Sequence, residues 1–333
     1  MIRFLLIILF FLCVLVLIII SRKKNKKSFT APATQPKKEP PQPSARLKED
    51  LENKLNQVLK KKFTDILITS FSGFAITASA IDATTKQKVQ IKTLNPEFQN
   101  DEKAKKIFTA ELEAIKRIDH PNIIRILDVV SNDDISFYVS ESLEGETLED
   151  LLKREGKLPL KRALHITNEV LKALVHCHNN RIIHRDIRPS NIFINRKNTV
   201  KLINFDIVKI ITGQYGEDIS STRIGGPDFG SPEQIQGLAI TGKSDVFSLG
   251  VCFYYMLTNH FPFLNPLATL DATTRPENIK RYCPNLPDEI VEIISVCLEK
   301  NPEERLKSMD VWKKIHFLKL PEDTTSTKKI SGS

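Results

Sequence analysis

HRDIRPSNIFIN, residues 184–195, decides how this chain is read. It places an acid (Asp186), two arginines (Arg185 and Arg188) and an amide (Asn191) in one short turn. Ile182 and Ile183 precede that turn, and Ile192 and Ile194 follow its polar part. Apolar residues on both sides tie such a turn to a core, so its polar groups are presented at a fixed place. An Asp held this way can face a substrate hydroxyl, and an Asn five residues on can reach a metal ion.

The pattern resembles the catalytic loop of the eukaryotic-type (Hanks-type) serine/threonine protein kinases, H-R-D-L-x-x-x-N. The resemblance implies that Asp186 takes the hydroxyl proton and that Asn191 binds magnesium. Working outward, further landmarks follow in the family's order. Lys92 ends the strand-like KVQIK, and Glu111 lies in FTAELEAIKRIDHPN, where Phe108, Leu112, Ile115 and Ile118 mark a helix buried along one side. A strand lysine beside a helix glutamate makes an ion pair that steers an ammonium onto phosphate oxygens. Glu111 stands ten residues before Pro121 of the HPNI turn, the family's offset. FYVSES reads as a strand ending at a hinge, where the backbone of Ser140 to Leu143, including Glu141 and Leu143, would face an adenine. Beyond the loop, SPEQ places Glu233, SDVFSLGV places Asp245 at the start of an apolar helix, and NPEER places Arg305 in a late helix. The resemblance implies that Asp245 holds the catalytic loop's backbone and that Arg305 and Glu233 form a buried ion pair. His165, His176 and His178 share a helix, but nothing supplies further metal ligands at a useful spacing.

The expected fold is therefore α+β and two-lobed, over residues 63–318: an antiparallel-sheet N-lobe with one key helix (63–140), a hinge (141–145) and a helical C-lobe (146–318). Nucleotide phosphates would be covered by the β-turn before Lys92, and here the sequence departs from the family. The three glycine positions of G-x-G-x-x-G are Ser70, Ser72 and Ala75, with only Gly73 at the tip. Side chains penalise the close approach and positive φ that glycine permits, by ~1 kcal/mol or more per residue. A second departure lies eighteen residues after Asp186, where the family's magnesium-bridging Asp of D-F-G is Asn204 in Asn204-Phe205-Asp206. An amide keeps an oxygen but loses the charge. A unit-charge pair at 4 Å and an effective dielectric of 20 is worth ~4 kcal/mol, so metal-assisted transfer is expected to fall by about a hundredfold or more. Arg188 replaces a lysine and still supplies a cation to the transferred phosphoryl group. Gly226 stands where the family has a Thr bracing the catalytic Asp. Arg185 could pair with a phosphate placed on Ser220, Ser221 or Thr222.

Ahead of this domain, Phe4 to Ile20 is unbroken apolar sequence, about 25 Å at helical rise and near the short limit for a bilayer. Residues 1–21 are therefore expected to form a transmembrane anchor. A cleaved signal peptide, with Ala31-Pro32-Ala33 as the site, is the alternative reading. Arg22, Lys23, Lys24, Lys26 and Lys27 follow the span, against Arg3 before it, which puts the N-terminus outside and the kinase-like domain in the cytoplasm. The cluster would also attract anionic lipid. Residues 22–45, basic and Pro-rich, read as a spacer. Residues 46–62 carry Leu47, Leu51, Leu55, Val58 and Leu59 at helical spacing, as a helix packing on the domain or a short coiled coil would. Residues 319–333 form a polar tail.

The chain has 333 residues and a net charge of +9, more than half of it in that basic cluster, so nucleic acid is not required as a partner. Five unpaired cysteines read as reduced thiols. Three functions remain: a pseudokinase acting as a binding or switch module, a slow serine/threonine kinase using ATP and Mg2+ (or Mn2+) on a protein substrate, or another ATP-using transferase.

Overall fold

The structure, a computed structural model, describes residues 59–71, 75–94, 116–131, 136–205 and 227–318, together with 53, 55–57, 101, 105, 109, 112 and 113. Outside the described residues lie the apolar stretch 4–20, the basic cluster, the spacer, Ser72, Gly73, Glu111, Asp206, Ser220, Ser221, Thr222, Gly226 and the tail 319–333. The chain divides into two compact units, residues 1–43 and 44–333, and the architecture that follows belongs to the second.

Alternation of apolar and polar residues at period two lays down five antiparallel strands: β1 (Phe63–Phe71), β2 (Ala75–Asp82), β3 (Lys88–Leu94), β4 (Ile126–Ser131) and β5 (Ser136–Glu141). Their order is β1-β2-β3-β5-β4, which puts β5 between two neighbours. Its SFYVS run is buried residue by residue because Phe137 and Val139 enter one core and Tyr138 the other, while β2, also between two strands, alternates. The register sets Lys92 of β3 between Thr77 and Tyr138. One face of the sheet closes over Leu55 and Leu59, which pack with Phe63, Ile68, Ala78, Ile91 and Val139. Those two leucines come from the amphipathic stretch before β1. Leu47, Leu51 and Val58 of the same stripe lie outside the described residues.

After the hinge, a small second sheet, β6 (Gly145–Thr147), β7 (Ile192–Asn195) and β8 (Val200–Leu202), carries the 184–195 turn. Gly145 has φ +154° and a Cβ there would lie 2.2 Å from the Ile194 carbonyl oxygen, so only glycine fits the β6–β7 approach. Gly145→Ala is expected to cost about 2–3 kcal/mol, seen as a lowered midpoint in thermal denaturation. An unchanged midpoint would show that β6 can shift at no cost.

The helices follow. Helix α1 (Leu148–Glu155) is capped by Thr147, whose hydroxyl accepts the Asp150 N–H at 3.1 Å. Then come α2 (Leu160–Asn179), α3 (Pro232–Ile235), α4 (Gly242–Thr258), α5 (Asp288–Cys297) and α6 (Ser308–His316). Helix α4 is apolar on nearly every side, and it is buried on nearly every side. The core around it takes in α1, α2, α5 and α6 and continues upward through Leu94, Leu112, Ile118 and Tyr138. The sheet and the helical half are also joined through the HPNI turn. Ile124 donates to the Leu202 carbonyl at 2.9 Å, Leu202 donates to Asn122 O at 2.8 Å, and the buried Asn122 amide donates to Val200 O at 2.8 Å.

One expectation is corrected. The membrane location, with the N-terminus outside and the domain cytoplasmic, is not upheld: no helix among the described residues is long and apolar enough to cross a membrane. The apolar helix they do contain, α4, is matched by protein rather than lipid, and α2 carries Lys161, Arg162, Glu169 and Lys172 along its length. A second expectation also changes. Arg305 lies in a turn before α6 and not in a helix, because Asn301 closes that turn, its side chain accepting the Glu303 N–H at 3.1 Å and its carbonyl the Arg305 N–H at 3.1 Å.

Candidate active site

The 184–195 turn is built from its backbone outward. Asp245 sits in the first turn of α4, buried to 1% exposure. Its Oδ2 accepts the His184 N–H at 2.9 Å and its Oδ1 the Arg185 N–H at 2.8 Å. From α2, His178 Nε2 lies 2.9 Å from Asp245 Oδ2, while its Nδ1 meets the Ser308 hydroxyl of α6 at 2.8 Å. Burial alone pushes the Asp245 carboxyl up. The His178 hydrogen bond and charge, with the His184 N–H, outweigh it and hold the group below the ordinary carboxylate range. Gly242 leaves room for this contact, since a Cβ there would come 2.8 Å from the His178 ring.

His184 is itself buried and packs on Phe205 with the rings tilted by 44° and their centres 4.6 Å apart. Its Nε2 faces the Ile203 carbonyl at 3.0 Å, which can only accept. The proton therefore sits on Nε2, and Nδ1 is left to accept the Asp186 N–H at 3.3 Å. In this way the segment before Asn204 is tied to the turn that carries Asp186.

Asp186, Asn191 and Asn204 meet as a chain. The Asn191 amide nitrogen donates to Asp186 Oδ2 at 2.6 Å and to the Asp186 carbonyl at 2.9 Å. The Asn204 amide nitrogen donates to Asn191 Oδ1 at 3.2 Å. Asn204 has φ 56°, a left-handed conformation that Asn tolerates better than most residues. The two residues expected to bind metal are therefore adjacent and hydrogen-bonded to each other. Their donor set does not fit a bridging divalent ion well: two neutral amides face one another where a carboxylate would be needed to favour a hard cation. Among the described residues no cluster of three or more His, Cys, Asp or Glu side chains could hold a metal.

The remaining expected site residues are placed as follows. Arg188 is half-buried two residues from Asp186, and its Nε is buried with no hydrogen-bond partner among the described residues. Lys92 is half-buried on β3, and its expected partner Glu111 lies outside the described residues. Of the phosphate cover, Ser70 is exposed near the end of β1 and Ala75 is buried at the start of β2, while Ser72 and Gly73 lie outside the described residues. Leu143 is half-buried just after β5. The Glu141 side chain turns away to Lys201 Nζ of β8 at 2.7 Å and to the Arg125 N–H at 2.9 Å, and its own N–H donates to the Arg125 carbonyl at 3.1 Å, so neither the side chain nor that N–H serves a ligand in the cleft.

Below the turn, Arg305 and Glu233 pair at 2.7 and 3.2 Å, both fully buried. The Ser244 hydroxyl donates to Glu233 at 2.6 Å. Burial raises the Glu233 carboxyl, but Arg305 and Ser244 more than reverse this and hold it low. Sequence reasoning weighed His178 only as a metal ligand and passed over Ser308, Gln234 and Lys201. Of these only Gln234 carried a local signal, the S-P-E-Q pattern of a capping box that opens α3.

Comparison with known proteins places the domain in a family. The chain is 34% identical over 227 residues to a probable serine/threonine-protein kinase of Clostridium perfringens, covering 66% of this chain and 33% of that protein. It is 32% identical over 242 residues to serine/threonine-protein kinase PrkC of Bacillus subtilis, covering 72% of this chain and 37% of that protein. The chain thus spans only about a third of the length of these two curated relatives. In fold it is similar to the PknI kinase domain of Mycobacterium tuberculosis, with a TM-score of 0.61 at 18% identity over 77% of this chain and 95% of that one. Rad53 in complex with AMP-PNP gives a TM-score of 0.61 at 22% identity over 79% of this chain and 69% of that chain. A family model of the protein kinase domain matches residues 72–317, and on that match, with its serine/threonine kinase relatives, the chain belongs to the protein kinase family.

Proposed function

We propose that this chain is a protein-kinase-fold signalling protein whose phosphoryl transfer is strongly impaired, and that it works as a nucleotide-responsive binding or switch module for a protein partner. The observation that carries the reading is Asn204. It stands where a carboxylate would bridge the metal and phosphates, and its amide is spent on Asn191 Oδ1. Asp186, Asn191 and Arg188 would still surround a substrate hydroxyl. With no negative charge at 204, nucleotide would bind through Lys92, the hinge backbone at Glu141 and Leu143 and the turn of Ser70, Ser72, Gly73 and Ala75. That binding would depend little on Mg2+ or Mn2+. Retention of the Asp186–Asn191 hydrogen bond and the serine/threonine kinase relatives favour a second reading, a slow serine/threonine kinase using ATP with Asp186 as base.

Isothermal titration of the full-length chain with ATP, with and without Mg2+, separates the two. The switch reading expects affinities within about threefold of each other and no labelled protein after incubation with γ-labelled ATP. A metal-dependent gain of tenfold or more, about 1.4 kcal/mol, would overturn it. So would transfer that disappears in Asp186→Ala.

A further inference from the structure

The peptide unit joining Arg185 to Asp186 is gripped at both ends. Its carbonyl oxygen, Arg185 O, accepts a hydrogen bond from Gln234 Nε2 at 2.7 Å, and its N–H, on Asp186, faces His184 Nδ1 at 3.3 Å. A peptide is planar, so holding its oxygen and its N–H fixes the plane and the N–Cα bond of Asp186, and the Asn191 amide on the Asp186 carbonyl at 2.9 Å restrains rotation about that bond, which together set the direction in which the side chain leaves the backbone. Arg185 has φ 69°, a left-handed conformation costly for a residue with a side chain, which persists only where surrounding bonds impose it. Asp245 restrains the two N–H groups upstream, at His184 and Arg185. Among the described residues, Gln234 reaches the loop from α3, the helix that follows the residues 206–226 segment.

The Gln234 amide is oriented for this contact. Its Oε1 accepts from the Ser231 N–H at 3.1 Å and from the Ser231 hydroxyl at 3.1 Å. Those bonds leave the amino group no choice but to point at Arg185. Gln234 therefore has two functions that chemistry can separate: an acceptor that caps α3, and a donor that holds the loop. Glutamate serves the first as well as glutamine. It cannot serve the second while ionised, because a carboxylate has no proton to give to a carbonyl oxygen.

We propose that Gln234 is a positioning residue for Asp186, locking the 185–186 peptide plane from the far side of the loop and so coupling α3 to the aim of the Asp186 carboxylate. The inference rests on Asp186 being the group that faces the substrate hydroxyl, as proposed above. Amide exchange is independent of transfer, so an error in either reading is seen separately.

Hydrogen–deuterium exchange of the full-length chain at pH 7.5 provides the test, with Gln234→Glu and Gln234→Met. Both variants are expected to speed exchange of the amides at 184–187 by about fivefold or more, the factor that one ordinary buried hydrogen bond confers. In Gln234→Glu, exchange in α3, α4 and α6 should match wild type, since the cap is kept. Gln234→Met loses the cap as well and should also loosen α3. Wild-type exchange at 184–187 in Gln234→Glu would overturn the proposal, leaving Gln234 a helix cap only. Equal acceleration in α4 and at 184–187 would overturn it too, as a fold-wide effect. Should Gln234→Met fail to fold, the glutamate variant decides alone.

Discussion

Asn204→Asp is expected to raise Mg2+-dependent phosphoryl transfer by about a hundredfold or more over the wild-type chain. The substitution is close to isosteric, and Asp tolerates the left-handed backbone at φ 56° as Asn does, so no strain is introduced. What changes is local charge. The Asn204 amino group now donates to Asn191 Oδ1 at 3.2 Å; with a carboxylate there, two oxygens face each other and the Asp186 carboxylate lies one residue further along the chain of contacts. That arrangement is unfavourable until a cation enters. The variant should accordingly be slightly less stable than wild type alone, and should gain more than wild type in melting temperature when Mg2+ and ATP are added together. Radiolabel transfer and a thermal shift with and without Mg2+ measure the two effects. A thermal response to Mg2+ without transfer would place the larger defect in the phosphate cover, where Ser70, Ser72 and Ala75 stand in the glycine positions. No response in either would show that charge at 204 is not the limiting loss.

Arg305→Ala should destabilise the chain by about 3–5 kcal/mol, a large part of the total stability of an ordinary domain. Arg305 is 1% exposed. Besides Glu233 it donates to the carbonyls of Glu299 at 2.7 Å, Lys243 at 2.8 Å and Lys300 at 3.1 Å, and its guanidinium lies 4.9 Å above the Phe247 ring. Truncation leaves a buried carboxylate and three carbonyls to find partners. Replacing both charged residues, Arg305→Met with Glu233→Met, should cost less than Arg305→Ala alone, because no buried charge is stranded. Urea denaturation at neutral pH ranks the variants, and a double variant no better than Arg305→Ala would show that the carbonyl bonds dominate. The pair also has a pH signature. The Glu233 carboxyl is held below its ordinary value of 4.5 by Arg305 and Ser244 against the upward push of burial. A carboxyl with a depressed folded pKa adds stability that is present above 4.5 and is lost as pH falls through the folded value. The gap between wild type and Glu233→Gln is therefore expected to be constant near neutrality and to close as pH drops below 4.5. A gap that persists at low pH would assign it to packing.

The reading of the site from sequence went as far as local spacing reaches. Residues 184–195 were recognisable because their apolar flanks and polar centre lie within one turn. Lys92 was placed by strand alternation, and Asp245 by an apolar helical run that begins with a carboxylate. Arg305 was assigned to a late helix as one of the landmarks of the resemblance; the Asn301 side chain turned the chain instead. The apolar stretch 4–20 led to a membrane location that the described residues do not uphold.

Residue types and their order along the chain were enough to determine the family and to single out the 184–195 turn and Asn204 as its candidate site, since each is a property of covalent sequence. Packing alone decided what holds that turn: His178 and Ser308 behind Asp245, Gln234 on the Arg185 carbonyl, and the Asn204 amide against Asn191. These partners stand 13 to 130 residues apart in sequence. No periodicity connects positions so distant. Their meeting follows from which apolar faces of α2, α3, α4 and α6 bury one another, and only the folded chain specifies that.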